Sequence, residues 1–271
     1  MEASLGGVGD EAEQGAAVSS PPRSGERMLY GVGPVRELVA RGQVRRLLLD
    51  RGRATKAGKD PVAELYAQAS AAKVAVELCE RAVLDQRAGA DARHQGVIAF
   101  VGAMRYYELE DLLPAQGPAL LLALDGVEDP RNLGAILRSA YLLGAHGVII
   151  PEHRAADVTP AAAKASAGAS ELLPIAKVGN LVRALSILKE HGVWVVAVHD
   201  SPQSRPLREL DATTSMCLVL GAEGTGVRPL VAKSCDFHAV LPMAREGIGS
   251  FNVSVAGALA LYEIARGRGA P

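Results

Sequence analysis

Three polar loops in this chain carry side chains whose types and spacing suit chemistry. The first, DPRNLGAILRSA, runs from Asp129 to Ala140, with Asn132 near a helix start and Arg138 six residues on. An amide can hold a hydroxyl in either direction, and a guanidinium offers a fixed fork of donors that suits a phosphate. The apolar face of this helix is Leu133, Ile136, Leu137 and Ala140, and Arg138 follows it at the edge. It is either a surface arginine or a site residue whose stem packs on the core. The second loop, LVLGAEGTGVRPLV, sets a lone carboxylate, Glu223, among Gly221, Gly224 and Gly226. The third, LPMAREGIGSFNVSVAGALALYE, opens a largely apolar helix with Ser250, Asn252 and Ser254. Ser250 or Asn252 can cap that helix, worth about 1 kcal/mol. Capping accounts for one polar residue, not three.

Better-known chemistries are excluded by pattern. The glycines of the second loop read GxxGxG, not the GxGxxG of a dinucleotide site, and no acidic residue follows at the expected distance. No Lys-Ser or Lys-Thr follows them, so a Walker phosphate loop is absent as well. The six histidines and three cysteines show no metal-ligand spacing. Cys79, Cys217 and Cys235 stand far apart and read as buried thiols of a reducing cytoplasm. No apolar run reaches the roughly 18 residues of a membrane span, and no secretory signal opens the chain.

The elements that must position these loops follow from hydrophobic texture. Of the 271 residues 49% are hydrophobic, enough for one large or two smaller cores, and only 4% are aromatic. ALLLALDG, HGVIIP, VWVVAVHD, CLVLGAEG and HAVLPM are short apolar runs bounded by turn residues, with helix-like segments between most of them. Runs apolar throughout predict strands covered on both faces, hence a parallel α/β sheet. Ligands of such sheets bind beyond the carboxyl ends of the strands, where the three loops fall. Upstream, residues 28–102 predict a small α/β unit with a helix near Pro34–Arg41 and strands near Arg46–Leu49, Ala75–Leu78 and His94–Gly102. Residues 1–27 read as a disordered tail, 103–118 as a linker, and 119–271 as the larger domain. The net charge of −1 does not advertise nucleic acid. Met28–Val101, however, carries twelve Lys and Arg against eight Asp and Glu, a surplus suited either to a phosphate backbone or to a solvated surface.

Taken together, DPRNLGAILRSA, LVLGAEGTGVRPLV and LPMAREGIGSFNVSVAGALALYE resemble, in order, the three motifs of the SpoU/TrmH family of RNA ribose 2′-O-methyltransferases, within the SPOUT superfamily. LYGVGPVRELVARG and HQGVIA resemble the ribosomal-protein-like substrate-binding domain of the bacterial 23S rRNA guanosine 2′-O-methyltransferases. The chain departs in having Phe251 where the family usually has Leu, and a loop from Met243 to Ser250 one residue longer than the commonest spacing.

The resemblance implies a carboxy-terminal domain with a deep trefoil knot, S-adenosylmethionine as cofactor, and cofactor contacts around Leu220, Gly221, Gly226, Leu241, Pro242, Met243 and Phe251. It implies Arg138 as the catalytic arginine, gripping a phosphate beside the reactive ribose or, ranked second, acting as general base. Asn132 is implied to orient the ribose or Arg138, Glu223 to pair with Arg138 or a loop amide, and Ser250, Asn252 and Ser254 to complete the mouth. A homodimer through the knotted domain and RNA as partner, 23S rRNA first, follow likewise. The alternatives are a tRNA guanosine or rRNA adenosine 2′-O-methyltransferase, and a non-catalytic RNA-binding protein.

Overall fold

The fold is given by a computed structural model that describes residues 25–56, 58–89, 92–245 and 249–269. The predicted tail lies outside these as far as residue 24, as does the centre of the third-motif loop, residues 246–248. The chain divides into two compact units, one built from Val39–Ala103 and the residues before Gly33, the other from Gly33–Leu38 and Met104 onward.

The first unit is a four-stranded sheet of β1 (Arg27–Tyr30), β2 (Val44–Asp50), β3 (Ala75–Cys79) and β4 (Val97–Val101), in the order β1-β4-β2-β3. Only β2 and β3 pair in parallel. The chain between its strands forms α1 (Val32–Ala40), whose residues Gly33–Leu38 group with the second unit, and α2 (Arg51–Ala54), α3 (Pro61–Ala71) and α4 (Arg81–Ala88) of the first. Asp60 starts α3 by accepting the Val62 N–H, with Pro61 in the first turn where no amide hydrogen is required. His94, predicted to open the last strand, is instead buried in the turn before it. Its Nδ1 accepts the Gly96 N–H and its Nε2 meets Asp85 at 2.7 Å.

The second unit is the predicted parallel sheet. Its strands are β5 (Leu120–Asp125), β6 (Gly147–Pro151), β7 (Ile175–Val178), β8 (Trp194–Val198), β9 (Arg205–Pro206), β10 (Met216–Gly221) and β11 (Phe237–Val240). They lie in the order β7-β6-β5-β10-β8-β11-β9, and every pairing is parallel. Alternate residues feed two cores. Leu120, Leu122, Leu124, Leu218 and Leu220 pack on one face with α5 (Pro130–Leu142), α6 (Pro160–Ala165) and α9 (Val253–Gly267). Leu121, Ala123, Cys217 and Val219 pack on the other with α7 (Leu181–Glu190) and α8 (Pro229–Ser234). Burial pushes the thiols of Cys217 and Cys235 up, the latter to about 12, so neither is a ready nucleophile. None of the helices among the described residues is long and apolar enough to cross a membrane.

The segment read as a linker differs from expectation. Tyr107 bridges to Ala176 of β7, and Leu109 and Leu112 are buried in the second unit. Three leucines within five residues are too apolar to remain in water, and the face of the sheet at β6 and β7 offers them cover.

The last element shows how the carboxy-terminal chain returns. β11 lies outside β8, yet α9 packs against α5 and β10, so the connecting loop must cross the ends of β8 and β10. That crossing accords with the knot implied by the resemblance. Arg268, just past α9, fastens the return: its guanidinium donates to the carbonyls of Ala212, Pro118, Ala119 and Thr214 at 2.7 to 3.0 Å.

Candidate active site

A cleft of about 450 Å³ opens at the carboxyl ends of β8, β10 and β11. Leu220, Leu241 and Val253 supply apolar wall, while the turn Ala222–Gly226 supplies backbone. That turn closes on itself: Ala222 N–H donates to the Gly226 carbonyl at 3.2 Å, and Gly226 N–H returns a bond at 2.9 Å. It requires Gly221, because a Cβ there would stand 2.0 Å from the carbonyl carbon of Gly226. Asp125, buried at the end of β5, holds the turn from beneath. It accepts the Arg228 N–H at 2.8 Å and the Arg228 guanidinium at 2.6 and 2.7 Å.

The three motifs meet beside this cleft. Asn252 Nδ2 donates to Glu223 Oε1 at 2.7 Å and to Asn132 Oδ1 at 3.2 Å. Asn132 Nδ2 donates to Glu223 Oε2 at 3.4 Å, a long contact. Asn252 Oδ1 faces the other way and accepts the Ser254 backbone N–H at 2.9 Å and its hydroxyl at 2.6 Å. One side chain therefore caps α9 and ties the third motif to the other two. Glu223 spends both oxygens on amides, Oε1 on Asn252 and Oε2 on Asn132.

The residues singled out from the sequence fall into three groups. Asn132, Glu223, Asn252 and Ser254 form the network. Leu220, Gly221, Gly226, Leu241, Met243, Ser250 and Phe251 line the cleft, as Glu223 also does. Pro242 does not line it. Arg138 is the main departure, for it neither lines the cleft nor pairs with Glu223. Six residues of α-helix advance about 9 Å and turn about 240°, so Arg138 points away from the side that carries Asn132. It is exposed, and it shares its face of α5 with Tyr141 and Leu142.

Sequence reasoning missed the end of β8. Val198, His199 and Asp200 border the cleft, and His199 Nε2 meets His238 Nδ1 at 2.7 Å. Burial first, then His238, draws the His199 pKa below the usual imidazole value, with Asp200 opposing. The signal was present: VWVVAVHD is another apolar run ending in polar residues, on the same strand-end rule.

A parallel sheet covered on both faces, with a cleft at its carboxyl edge and a polar amide–carboxylate network on the rim, is an α/β fold with a small-ligand site where such sheets place theirs. Comparison with known proteins narrows the class. Residues 119–262 match the model of the SpoU rRNA methylase family, and residues 28–107 match the substrate-binding domain of RNA 2′-O-ribose methyltransferases. A TrmH-family tRNA/rRNA methyltransferase of Bacillus subtilis is 43% identical over 72% of this chain and 78% of its own. The 23S rRNA (guanosine-2′-O-)-methyltransferase RlmB of Yersinia pestis is 39% identical over 89% of this chain and 98% of its own. The SpoU methyltransferase AviRb of Streptomyces viridochromogenes, solved with AdoMet, superposes with a TM-score of 0.74 at 27% identity, over 91% of this chain and 92% of that one. The chain belongs to the SpoU family of RNA 2′-O-ribose methyltransferases.

Proposed function

We propose that the protein transfers a methyl group from S-adenosylmethionine to the 2′ oxygen of a guanosine ribose in 23S rRNA. The observation that carries this is the meeting of Asn132, Glu223 and Asn252, from loops up to 120 residues apart, at the rim of a cleft bounded by glycine backbone. The choice of 23S rRNA rests on likeness to the Yersinia pestis enzyme across both units of the chain.

The residues of the cleft fit the cofactor. About 450 Å³ lies within the ordinary range for small-ligand sites, roughly 300–1,000 Å³. Leu220, Leu241 and Phe251 give faces for a flat base, and Gly221 and Gly226 leave backbone amides and carbonyls approachable. Bound there, S-adenosylmethionine would supply an electrophilic methyl carbon on a sulfonium. Asn132 and Asn252 would hold the ribose, each fixed by Glu223 so that little ordering remains for the moment of reaction. Ser250 adds a hydroxyl at the cleft wall. The Glu223 carboxylate would hold both amides in place beside the ribose.

Arg138 enters through a second copy of the chain. Leu142 is 68% exposed, Val255 46% and Tyr262 51%, with Tyr141 and Leu259 also exposed, on two helices that pack together. A patch of that kind on helices suits an isologous dimer. Arg138 stands on that face, so dimerisation carries it to the partner's side, where it can grip an RNA phosphate.

The test is transfer of labelled methyl to separate 23S rRNA and tRNA pools, followed by mapping of the nucleotide. Label in 23S rRNA guanosine is the expected result. Label in tRNA alone overturns the substrate, and no transfer to any RNA overturns catalysis. Arg138→Ala should lower turnover by at least about 100-fold with cofactor affinity unchanged; weaker cofactor binding would put Arg138 in the wrong role.

A further inference from the structure

The loop from Glu152 to Thr159 leaves the carboxyl end of β6, the strand beside β5, and so lies on the same edge of the sheet as Asn132. It is pinned at several points. Glu152 N–H donates to the Val178 carbonyl at 2.9 Å, and Ala156 N–H to the Val127 carbonyl at 2.7 Å. Asp157 accepts from the Val158 N–H at 2.8 Å, from Lys177 Nζ at 3.1 Å and from the Tyr106 hydroxyl. Ala156 and Val158 are buried. Val127 is five residues before Asn132, so the bond from Ala156 fastens this loop to the turn that begins the catalytic helix.

At the crown of the pinned loop stands Arg154, with φ of 55°. A left-handed backbone is costly for a residue with a long side chain and costs glycine nothing. Among the described residues, four other than glycine have positive φ, and Arg154 is the sole arginine. Its side chain is exposed, and among the described residues it has no hydrogen bond and no carboxylate within 4 Å. The Glu152 carboxylate, two residues back, lies over Gly179 instead. By contrast, Arg228 and Arg268 are consumed in holding the fold. Arg154 is thus an exposed cation on a strained, pinned backbone, without a partner among the described residues, on the loop that follows the strand next to β5. Strain kept at a fixed position beside a reactive site points to a ligand contact.

We propose that Arg154 is an RNA phosphate contact, holding the backbone beside the nucleotide whose ribose enters the Asn132–Glu223–Asn252 site. This rests on the RNA methyltransferase reading of that site. A guanidinium fits because its fork meets two phosphate oxygens at once, and a pinned loop because little ordering is then lost on binding.

The full chain, with Arg154→Gly and Arg154→Ala variants, is assayed for binding to protein-free 23S rRNA across a salt series, and for methyl transfer. Both variants are expected to bind about tenfold more weakly, and their log–log salt slope to fall by about 0.7 to 0.9, the value of one phosphate contact. Cofactor affinity and kcat at saturating RNA should hold within about twofold, with the loss confined to KM for RNA. Arg154→Gly should also melt higher than the parent, because the strain is released, while Arg154→Ala should not. Unchanged RNA affinity and salt slope in both variants would overturn the proposal. So would a lower melting temperature in Arg154→Gly, which would make the residue a structural support. A parent protein that binds RNA without methylating it, while the variants bind more weakly, would support the contact and sink the catalytic reading instead.

Discussion

Asn252 shows how much one side chain can be asked to do. Its Oδ1 caps α9 and its Nδ2 joins Glu223 to Asn132, so the two ends of one amide serve the helix start and the network of the three motifs separately. Replacing it splits the two roles. Asn252→Ala should cost about 1 kcal/mol of stability from the lost cap and about 100-fold or more in kcat from the lost orientation. Asn252→Asp should keep the cap yet lose activity and melt below the parent, since a second carboxylate would face Glu223 at hydrogen-bond distance. Thermal melts beside single-turnover kinetics separate these outcomes; an active Asn252→Asp would show that the amide donor is dispensable. His199 gives a second expectation at this scale. Burial and His238 favour its neutral form in the fold, so its contribution to stability is complete above about pH 6.5, the unfolded value. It declines as pH falls through the depressed folded value, because the unfolded chain then binds the proton more readily. Melting curves between pH 8 and pH 5 should fall more steeply for the parent than for His199→Gln; parallel curves would remove His199 from the linkage.

At the scale of elements, the glycine turn and the carboxy-terminal clasp set the geometry. Gly221→Ala forces a methyl against the Gly226–Val227 backbone, where nothing can give cheaply. The turn would reopen, and cofactor affinity should fall by tenfold or more, read by calorimetry, with the rest of the fold retained. Arg268→Met strips four carbonyls of a charged donor and should cost about 2 to 3 kcal/mol, measured by denaturant unfolding; a loss below about 0.5 kcal/mol would mean that other bonds hold α9. These elements also mark what could be read beforehand. The parallel strands were legible because Leu120–Leu124 and Met216–Leu220 are apolar throughout, and the three loops because each follows such a run. The packed segment at Tyr107–Leu113 was not, because three leucines among charged residues carry no period and their cover is β6 and β7, more than 30 residues later. Arg268 was invisible for a like reason: its partners are backbone carbonyls, which no side-chain pattern announces. Arg138 was recognised as a type of residue, but its direction depends on helix phase relative to Asn132. His199 was legible by the strand-end rule, and only its pairing with His238 needed the fold.

On the scale of the whole molecule, the Asn132–Glu223–Asn252 network and Arg138, the arginine expected to serve it, lie on different sides of α5. If Arg138 is to serve that network, a second copy of the chain must bring it there, and the exposed face of α5 and α9 is the surface proposed for that pairing. Val255, Leu259 and Tyr262 recur at i, i+4 and i+7 along α9 and form one stripe. A charge placed in the middle of a self-complementary stripe meets its own image across the axis, so Leu259→Asp should be far more disruptive in the dimer than in the monomer. Light scattering coupled to gel filtration should show the parent as a dimer and Leu259→Asp as a monomer. If Arg138 acts across the interface, the monomer should retain cofactor affinity and lose transfer by about 100-fold or more, matching Arg138→Ala. A monomeric variant with full activity would place the whole site within one chain and require Arg138 to act from the far side of its own helix.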